Sequence, residues 1–416
     1  MGERLQVPRG TYDVLPEDAD ARAALEATAR RILEGAGYRR IETPTFEQTE
    51  VFARGVGAST DIVQKEMYTF DDGGGRSVTL RPEGTAPICR AYAEHGMHKL
   101  PQPVKLWYVS SFFRSEKPQQ GRFRQFWQIG AEAIGSDDPA VDAELIVLLA
   151  TVLSELEVAG VRLRIGSLGT PATRRAYREL LQAHLREHAD RLSDDVRSRI
   201  DLNPLRAFDS DHPGTRAVMA GAPLLVDHLE AADAEHFETV RELLLRAGVE
   251  HEVDPTLVRG LDYYTRTVFE FTSDALGAQS GVAGGGRYDG LVEMLGGPAT
   301  PGCGWAAGIE RILLASEGLP VAPPPVDLYV GFDSAQQRGA AFAIVDEARR
   351  ARLNAQLELA GRSRKGQLKH ADRIGARYVA IVGDDRTVLK DMPAGEQLEV
   401  DTLGVVARIL RRRGMS

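Results

Sequence analysis

The sequence predicts an α+β fold: a largely antiparallel sheet with flanking helices, broken by a helical insertion and followed by a small α/β domain. Three observations carry this. Segments rich in β-branched and aromatic residues occur as hairpin-like pairs in the N-terminal third and return near Leu257. Between about 169 and 253 the pattern is mostly charged helix. After the prolines of GLPVAPPPVD, strand and helix patterns alternate to the end of the sequence.

The first element is an amphipathic helix, with Leu25, Thr28/Ala29, Ile32/Leu33 and Ala36 at helical spacing and Gly37 as its stop. YRRIETPTF reads as a strand broken by Pro44. MYTFDD and SVTLRPE pair through Gly73, Gly74 and Gly75, and VKLWYVSSFFRSE pairs with RQFWQIGAEAIG across a polar loop. A long helix follows, capped by Asp138, opened by Pro139 and lined by Leu145, Leu149, Val152 and Leu156. LVRGLDYYTRTVFEF, 257–271, reads as a buried strand carrying Val258, Leu261, Val268, Phe269 and Phe271. Neighbouring strand residues face opposite sides, so Tyr263 and Tyr264 are expected to serve different roles. SGVAGGGRYDGL, 280–291, reads as a glycine-rich turn, GCGWAAG as a small-residue strand and IERILLASEG as a short helix. Beyond the prolines, DLYVGF, NAQLELA, YVAIVG, TVLKD and QLEVD read as strands, with helices at 335–352, in RKGQLKHADRIGA and in VVARILRRR. The domain reading is a split body at 1–168 and 254–317, an insertion at 169–253, a proline-rich linker at 318–325 and a last domain at 326–416.

Composition bounds the class. The 416 residues are 43% hydrophobic and 27% charged, an ordinary globular balance with no 18-residue apolar run. MGERLQVPRG lacks the apolar core of a signal peptide, and two cysteines, Cys89 and Cys303, make neither a disulfide framework nor a zinc cluster. A cytoplasmic protein is expected. The net charge is −9, yet 326–416 holds 16 Lys+Arg against 12 Asp+Glu. An acidic body with a basic end suggests a polyanion partner at that end, although RILRRRG also suits a solvated last helix.

Several clusters could carry chemistry. The hairpin tip FFRSEKPQQGRFRQFWQ sets Arg114, Lys117, Arg122 and Arg124 against Glu116, with Phe123 and Phe126 interleaved. Guanidinium forks pair with phosphate and rings stack on bases, although a solvated tip has the same composition. The glycines of 280–291 admit close approach of a ligand, but Asp289 breaks the dinucleotide pattern and no GxxxxGK[ST] loop occurs. Glu83 and Thr85 stand at a strand-to-helix junction, where a carboxylate binds an ammonium or caps the helix. HLREH spaces His184 and His188 as zinc ligands would be, without an evident third ligand, and a surface helix is the better reading.

Taken together, the arginine-bearing hairpin, LVRGLDYYTRTVFEF, GVAGGGRYDGL and GCGWAAGIERIL resemble the histidyl-tRNA synthetases, which are class II aminoacyl-tRNA synthetases. The likeness runs along essentially the whole chain, and neither HIGH nor KMSKS of the class I enzymes occurs. The resemblance implies a class II synthetase-type antiparallel sheet and the joining of L-histidine to tRNA(His) through histidyl-adenylate. ATP with Mg2+ on its phosphates is implied as co-substrate, and a homodimer as the assembly. It implies Arg114 and Arg259 as catalytic cations at the α-phosphate. For histidine it implies Glu83, Gly84, Thr85, Gln128, Glu132, Tyr263, Tyr264, Gly284 and Gly285, with Gly286 and Arg287 close to the floor of that pocket. For ATP it implies Arg114, Glu116, Arg122, Phe126, Gly308 and Arg311. Trp127 departs from the family pattern and is expected to face away from the ligand. The insertion is implied to contact the tRNA acceptor arm, and 326–416 to bind the anticodon. The rival within the resemblance is the non-catalytic regulatory subunit of ATP phosphoribosyltransferase. That subunit erodes the nucleotide residues and usually lacks the last domain, both of which are present here.

Overall fold

In the computed structural model, which describes residues 4–57, 60–119, 121–257, 259–277, 280–316 and 325–413, the expected first helix is α1, Pro16–Gly35. Leu25, Ala29 and Leu33 are fully buried, and Gly37 ends the turn with φ of +86°, the left-handed conformation that favours glycine. Val258 and linker residues 318–324 lie outside the described residues. Pro44 separates β1, Arg39–Arg40, from β2, Phe46–Gln48. The first hairpin is β3, Tyr68–Asp71, with β4, Ser77–Leu80, and β2-β4-β3 form a small antiparallel sheet. Helices α2, Thr49–Gly55, and α3, Thr85–Glu94, pack beside it.

The second hairpin, β5, Val104–Phe113, and β6, Gln125–Ile134, begins the main sheet. Helix α4, Pro139–Glu155, follows, with the Asp138 carboxylate accepting from Ala140 N as the cap predicted. Strand β7, Val161–Ser167, was not expected from the sequence. The insertion contributes α5, Pro171–Glu187, α6, Asp194–Ser198, α7, Pro213–Met219, and α8, Ala231–Arg246. The chain re-enters the sheet through β8, Glu252–Val253, β9, Thr265–Ser273, β10, Gly281–Arg287, and β11, Gly302–Gly308. Helix α9, Leu291–Met294, separates the last two, and α10, Ile309–Ala315, closes this part.

The eight strands run in the order β1-β5-β6-β11-β10-β9-β7-β8. The six inner strands are antiparallel, and the short edge strands β1 and β8 add on in parallel. On one face Trp107, Ile129, Ala131, Trp305 and Phe269 bury against α1, α4, α8 and α10. Phe237, Val240 and Leu244 of α8 belong to this core, so the last helix of the insertion packs with the body. The other face carries Tyr108, Phe112, Tyr263, Tyr264 and Tyr288, and continues into the core of the insertion through Leu168, Tyr177 and Leu181.

Two sequence expectations are corrected here. Of the glycine-rich 280–291 only Asp289 and Gly290 form a turn: Gly281–Arg287 is β10, in the middle of the sheet. The strand expected at 257–271 starts only at Thr265, and Asp262 and Tyr263 form a turn before it. Strand alternation therefore does not apply to Tyr263 and Tyr264. Their rings touch, with centroids 4.7 Å apart, on the same side of the sheet.

Residues Val321–Ser416 form a second unit, distinct from Met1–Pro320. Its strands are β12, Leu328–Phe332, β13, Ala355–Leu357, β14, Tyr378–Val382, β15, Thr387–Asp391, and β16, Gln397–Val400. They run in the order β13-β12-β14-β15-β16, parallel for the first three and antiparallel thereafter. Helices α11, Arg338–Arg350, α12, Arg364–Arg373, and α13, Val405–Arg412, complete the α/β unit the sequence called for. Among the described residues no helix is long and apolar enough to cross a membrane.

Candidate active site

Sheet register builds the floor of the site. Glu270 pairs with Gly284, Gly284 with Ala306, Ala306 with Gly130, and Gly130 with Tyr108. The next row on the same face runs Val268, Gly286, Gly304, Glu132 and Leu106. Period-2 alternation puts these residues on one side, and the glycines leave a trough between the larger side chains. A Cβ on Gly130 would stand 2.3 Å from the Tyr108 ring, and one on Gly84 would stand 2.7 Å from it. Both glycines are required for that ring to lie flat in the trough.

Glu132 is the deepest polar group, with no exposed surface. Tyr288 donates to one carboxylate oxygen at 2.6 Å and Thr85 to the other at 2.8 Å. A Cβ on Gly304 would lie 1.7 Å from Glu132 Oε2, so only glycine fits opposite it. Burial pushes the Glu132 carboxyl up to about 8, against the two hydroxyl donors. Glu83 accepts from Thr85 N at 2.8 Å and Ala86 N at 3.0 Å, which caps the first turn of α3. It also faces the Tyr263 hydroxyl at 3.3 Å, so its cap and its place in the site coincide. Burial raises its pKa although the amide hydrogen bonds and Arg114 oppose that. The Gln128 Oε1 and the Tyr108 hydroxyl are buried without a protein hydrogen-bond partner. Leaving such atoms unmatched costs roughly 1–3 kcal/mol each, an arrangement that suits a polar ligand.

Beside this pocket opens a cleft of about 220 Å³. Arg114, Glu116, Arg122, Phe126, Gln128, Arg259, Glu270, Gly284, Gly308 and Arg311 all line it. Arg114 donates to Pro82 O at 2.9 Å, and its guanidinium lies 5.2 Å from the Phe126 ring centre. Arg122 approaches Glu116 at 3.4 Å. Arg311 donates to the carbonyl of Gly281, and a Cβ on Gly308 would press on the Arg311 stem at 3.3 Å. Arg259 Nη1 donates to Glu270 Oε1 at 2.8 Å, and the other oxygen of Glu270 accepts from Arg164 at 2.7 Å. Burial works against the Arg259 charge, but Tyr264 and Glu270 outweigh it and raise its pKa. The sequence-predicted residues thus converge as two adjoining groups: a carboxyl–phenol pocket and a cationic, aromatic-walled cleft.

Two expectations are adjusted by the geometry. Gly285 faces the opposite side, where a Cβ would meet Trp305 Cβ at 2.7 Å and the Phe269 ring at 2.8 Å, so it offers the site backbone only. Arg287 does not reach the pocket floor. It is fully buried in an ion pair with Asp142, and donates to Ser136 O at 2.9 Å and Asp138 O at 3.2 Å, tying the start of α4 to β10. Trp127 packs on the far core, and Arg22 lies 5.6 Å from its ring centre. His184 and His188 stack at 4.8 Å, and no cluster of three metal-ligating side chains occurs among the described residues.

Sequence reasoning missed Glu270, Tyr108, Tyr288 and Glu310. Glu270 had a signal: a lone carboxylate between Phe269 and Phe271 must face away from their core. Glu310 had none, because its partners are distant in sequence. It accepts from Trp127 N at 3.1 Å, Tyr12 OH at 2.6 Å and Arg22 at 2.7 Å, holding the N-terminal segment against β6.

Residues 10–312 match the model of the family described as Histidyl-tRNA synthetase. The chain is 51% identical over 385 residues to the histidine–tRNA ligase of Halorhodospira halophila (strain DSM 244 / SL1), covering 92% of this chain and 90% of that protein. It is 47% identical over 406 residues to the histidine–tRNA ligase of Desulfitobacterium hafniense (strain DSM 10664 / DCB-2), covering 95% of each. Among solved structures, apo S. aureus histidyl-tRNA synthetase aligns with a TM-score of 0.81 at 35% identity, over 98% of this chain and 100% of that one.

Proposed function

This chain belongs to the histidyl-tRNA synthetase family, and on that premise we propose how its pocket and cleft divide the work. It is a histidine–tRNA ligase of class II: it activates histidine with ATP and transfers the histidyl group to tRNA. Near-full-length relatives of that name support this over the regulatory-subunit reading.

In the first step a histidine carboxylate oxygen attacks the α-phosphorus of ATP. The new O–P bond forms as the bond to the β-phosphate breaks, and pyrophosphate leaves. Two anions must meet, so fixed positive charge at that point lowers the barrier. The observation that carries our assignment is the placement of Arg259. It lies over Gly284, beside the Glu132 pocket and in the same cleft as Arg114. Glu270 engages one edge of its guanidinium and thereby orients the rest. A guanidinium cannot lose its proton under these conditions, so the charge is permanent. We assign Arg114 to the α-phosphate and the amino-acid carboxylate from the opposite side.

For histidine we assign Glu132 and Tyr264 to the imidazole, and Glu83 with Tyr263 to the ammonium. Thr85 and Gln128 serve the main-chain atoms. A neutral imidazole presents one donor and one acceptor, and a carboxyl with pKa near 8 can meet either. Gly84 keeps Tyr108 in the trough, Gly284 admits Arg259, and Gly285 contributes backbone. For ATP, Phe126 and Arg311 sandwich the adenine, Glu116 reads its amino group and Arg122 meets the phosphates. Gly308 leaves room for the Arg311 stem.

Mg2+ fits as a companion of ATP. Both oxygens of Glu270 are engaged by Arg259 and Arg164 and Glu116 is assigned to the adenine, so the ion would be carried by the oxygens of the substrate phosphates, which suit it. Bound there, it would offset charge on the β- and γ-phosphates. We further assign the insertion to the tRNA acceptor arm and the second unit, with its basic balance, to the anticodon. The exposed Phe46 and Phe70, 6.3 Å apart on the small sheet, favour pairing with a second copy as a homodimer. A cytoplasmic location accords with this role.

Histidine-dependent ATP–pyrophosphate exchange tests the reading. Exchange requiring histidine, ATP and magnesium is expected. Its absence at saturating substrates would favour the regulatory-subunit reading.

A further inference from the structure

Helix α5 of the insertion reaches the loop that carries Tyr263 and Tyr264, and we propose that Arg174 on that helix is a positioning residue for histidine binding. The inference rests on the reading above that Tyr264 faces the imidazole. Arg174 Nη1 donates to the Tyr264 carbonyl at 2.6 Å and, at longer range, to the Asp262 carbonyl at 3.4 Å. The loop has no strand ladder to hold it, because β9 begins at Thr265. A charge-assisted hydrogen bond from a neighbouring helix takes the place of that ladder.

Hydrogen bonds frame Arg174 on both flanks. Asp233 on α8, 1% exposed, accepts from Thr170 N at 2.8 Å at the start of α5 and from Arg266 Nε at 3.1 Å. Arg266 N donates to Gly169 O at 2.8 Å. Its backbone has φ of +45°, a left-handed conformation uncommon outside glycine. The pairing of β9 with β10 also shifts register at this point. The chain is therefore held at Gly169, Asp233 and Arg174 on both sides of Tyr264. Arg174 itself borders a separate cavity of about 300 Å³ with Arg175, Arg178 and Asn203. It acts on the pocket through the backbone of Tyr264, and displacement of α5 would be transmitted to that tyrosine.

The test uses full-length Arg174→Gln and Arg174→Lys in histidine-dependent exchange, with thermal melting in parallel. The glutamine variant should raise the histidine KM about tenfold or more, the worth of one charge-assisted hydrogen bond. The ATP KM should stay within about twofold, and lysine should restore part of the loss. An unchanged histidine KM in both variants overturns the inference. So does a joint rise of both KM values with a lowered melting temperature, the mark of a merely structural role. If the glutamine variant does not fold, the lysine variant decides: a rise in histidine KM alone supports the inference, and wild-type values overturn it. Calorimetric histidine binding on the same proteins separates the two readings. Lack of exchange in the wild type sinks the functional assignment, whereas equal histidine affinities in wild type and variants sink this inference.

Discussion

The guanidinium of Arg259 lies directly on the backbone of Gly284: a Cβ there would stand 2.2 Å from Arg259 Nη2 and 2.5 Å from Cζ. The obstructed atoms are the far end of a flexible side chain, and Gly284 sits in regular strand backbone. Gly284→Ala should therefore fold and displace the arginine. We expect adenylate formation to fall about 10²-fold or more, the usual worth of one misplaced oxyanion-type donor. The melting temperature should move by only about 2–4 °C or less, the equivalent of roughly 1 kcal/mol in a large domain. Pyrophosphate exchange and calorimetric melting on one preparation check both parts.

Tyr264→Phe removes one hydroxyl from the pocket and keeps the ring packed against Tyr263. A pocket that pairs polar ligand atoms loses affinity when one partner is deleted. The histidine KM is expected to rise about tenfold with the ATP KM little changed. Equal histidine KM values in wild type and mutant would remove Tyr264 from imidazole recognition.

Glu132 makes stability depend on pH. Its folded pKa, about 8, lies above the ordinary 4.5. Between those values the native state binds a proton that the unfolded chain has released. Stability from this group is full below the ordinary value, falls as pH rises toward 8, and then levels. The slope is at most about 1.4 kcal/mol per pH unit for a single proton. Glu132→Gln should flatten the wild-type profile across that window in urea titrations at several pH values. Parallel profiles for the two proteins would show that Glu132 is already ionised in the folded apo state.

The Arg287–Asp142 pair is predicted to serve stability alone. Both side chains are fully buried, and Asp142→Ala removes the closer counter-charge of the guanidinium, leaving it only Asp289 at 3.2 Å. Such losses cost roughly 3–5 kcal/mol. Urea unfolding should show that loss, while the histidine KM well below the melting temperature stays at the wild-type value. A large rise in KM with normal stability would return Arg287 to the histidine pocket.

Local signals made much of this legible. Asp138 and Pro139 announced α4, Gly37 stopped α1, and the alternating hairpin 104–134 placed Arg114, Phe126, Gln128 and Glu132 where they stand. What failed depended on tertiary context. Three glycines look like a turn until Arg259 is seen to lie on Gly284, Trp305 and the Gly304 carbonyl to crowd Gly285, and the Thr267 carbonyl to crowd Gly286. Tyr263 and Tyr264 look like strand neighbours until Arg174 and Arg266 fold the chain into a turn before β9. Arg287 looks like part of a ligand floor because its motif is contiguous, yet its partner Asp142 is 145 residues away in sequence.

Arg259 is expected to supply fixed charge to the reacting phosphoryl group and not to histidine binding. Single-turnover adenylate formation by Arg259→Gln, with histidine affinity measured on the same protein, tests it most directly. Near-wild-type histidine affinity is expected, with the chemical step slowed about 10²–10³-fold. A chemical step at the wild-type rate, or a defect confined to histidine affinity, would contradict it.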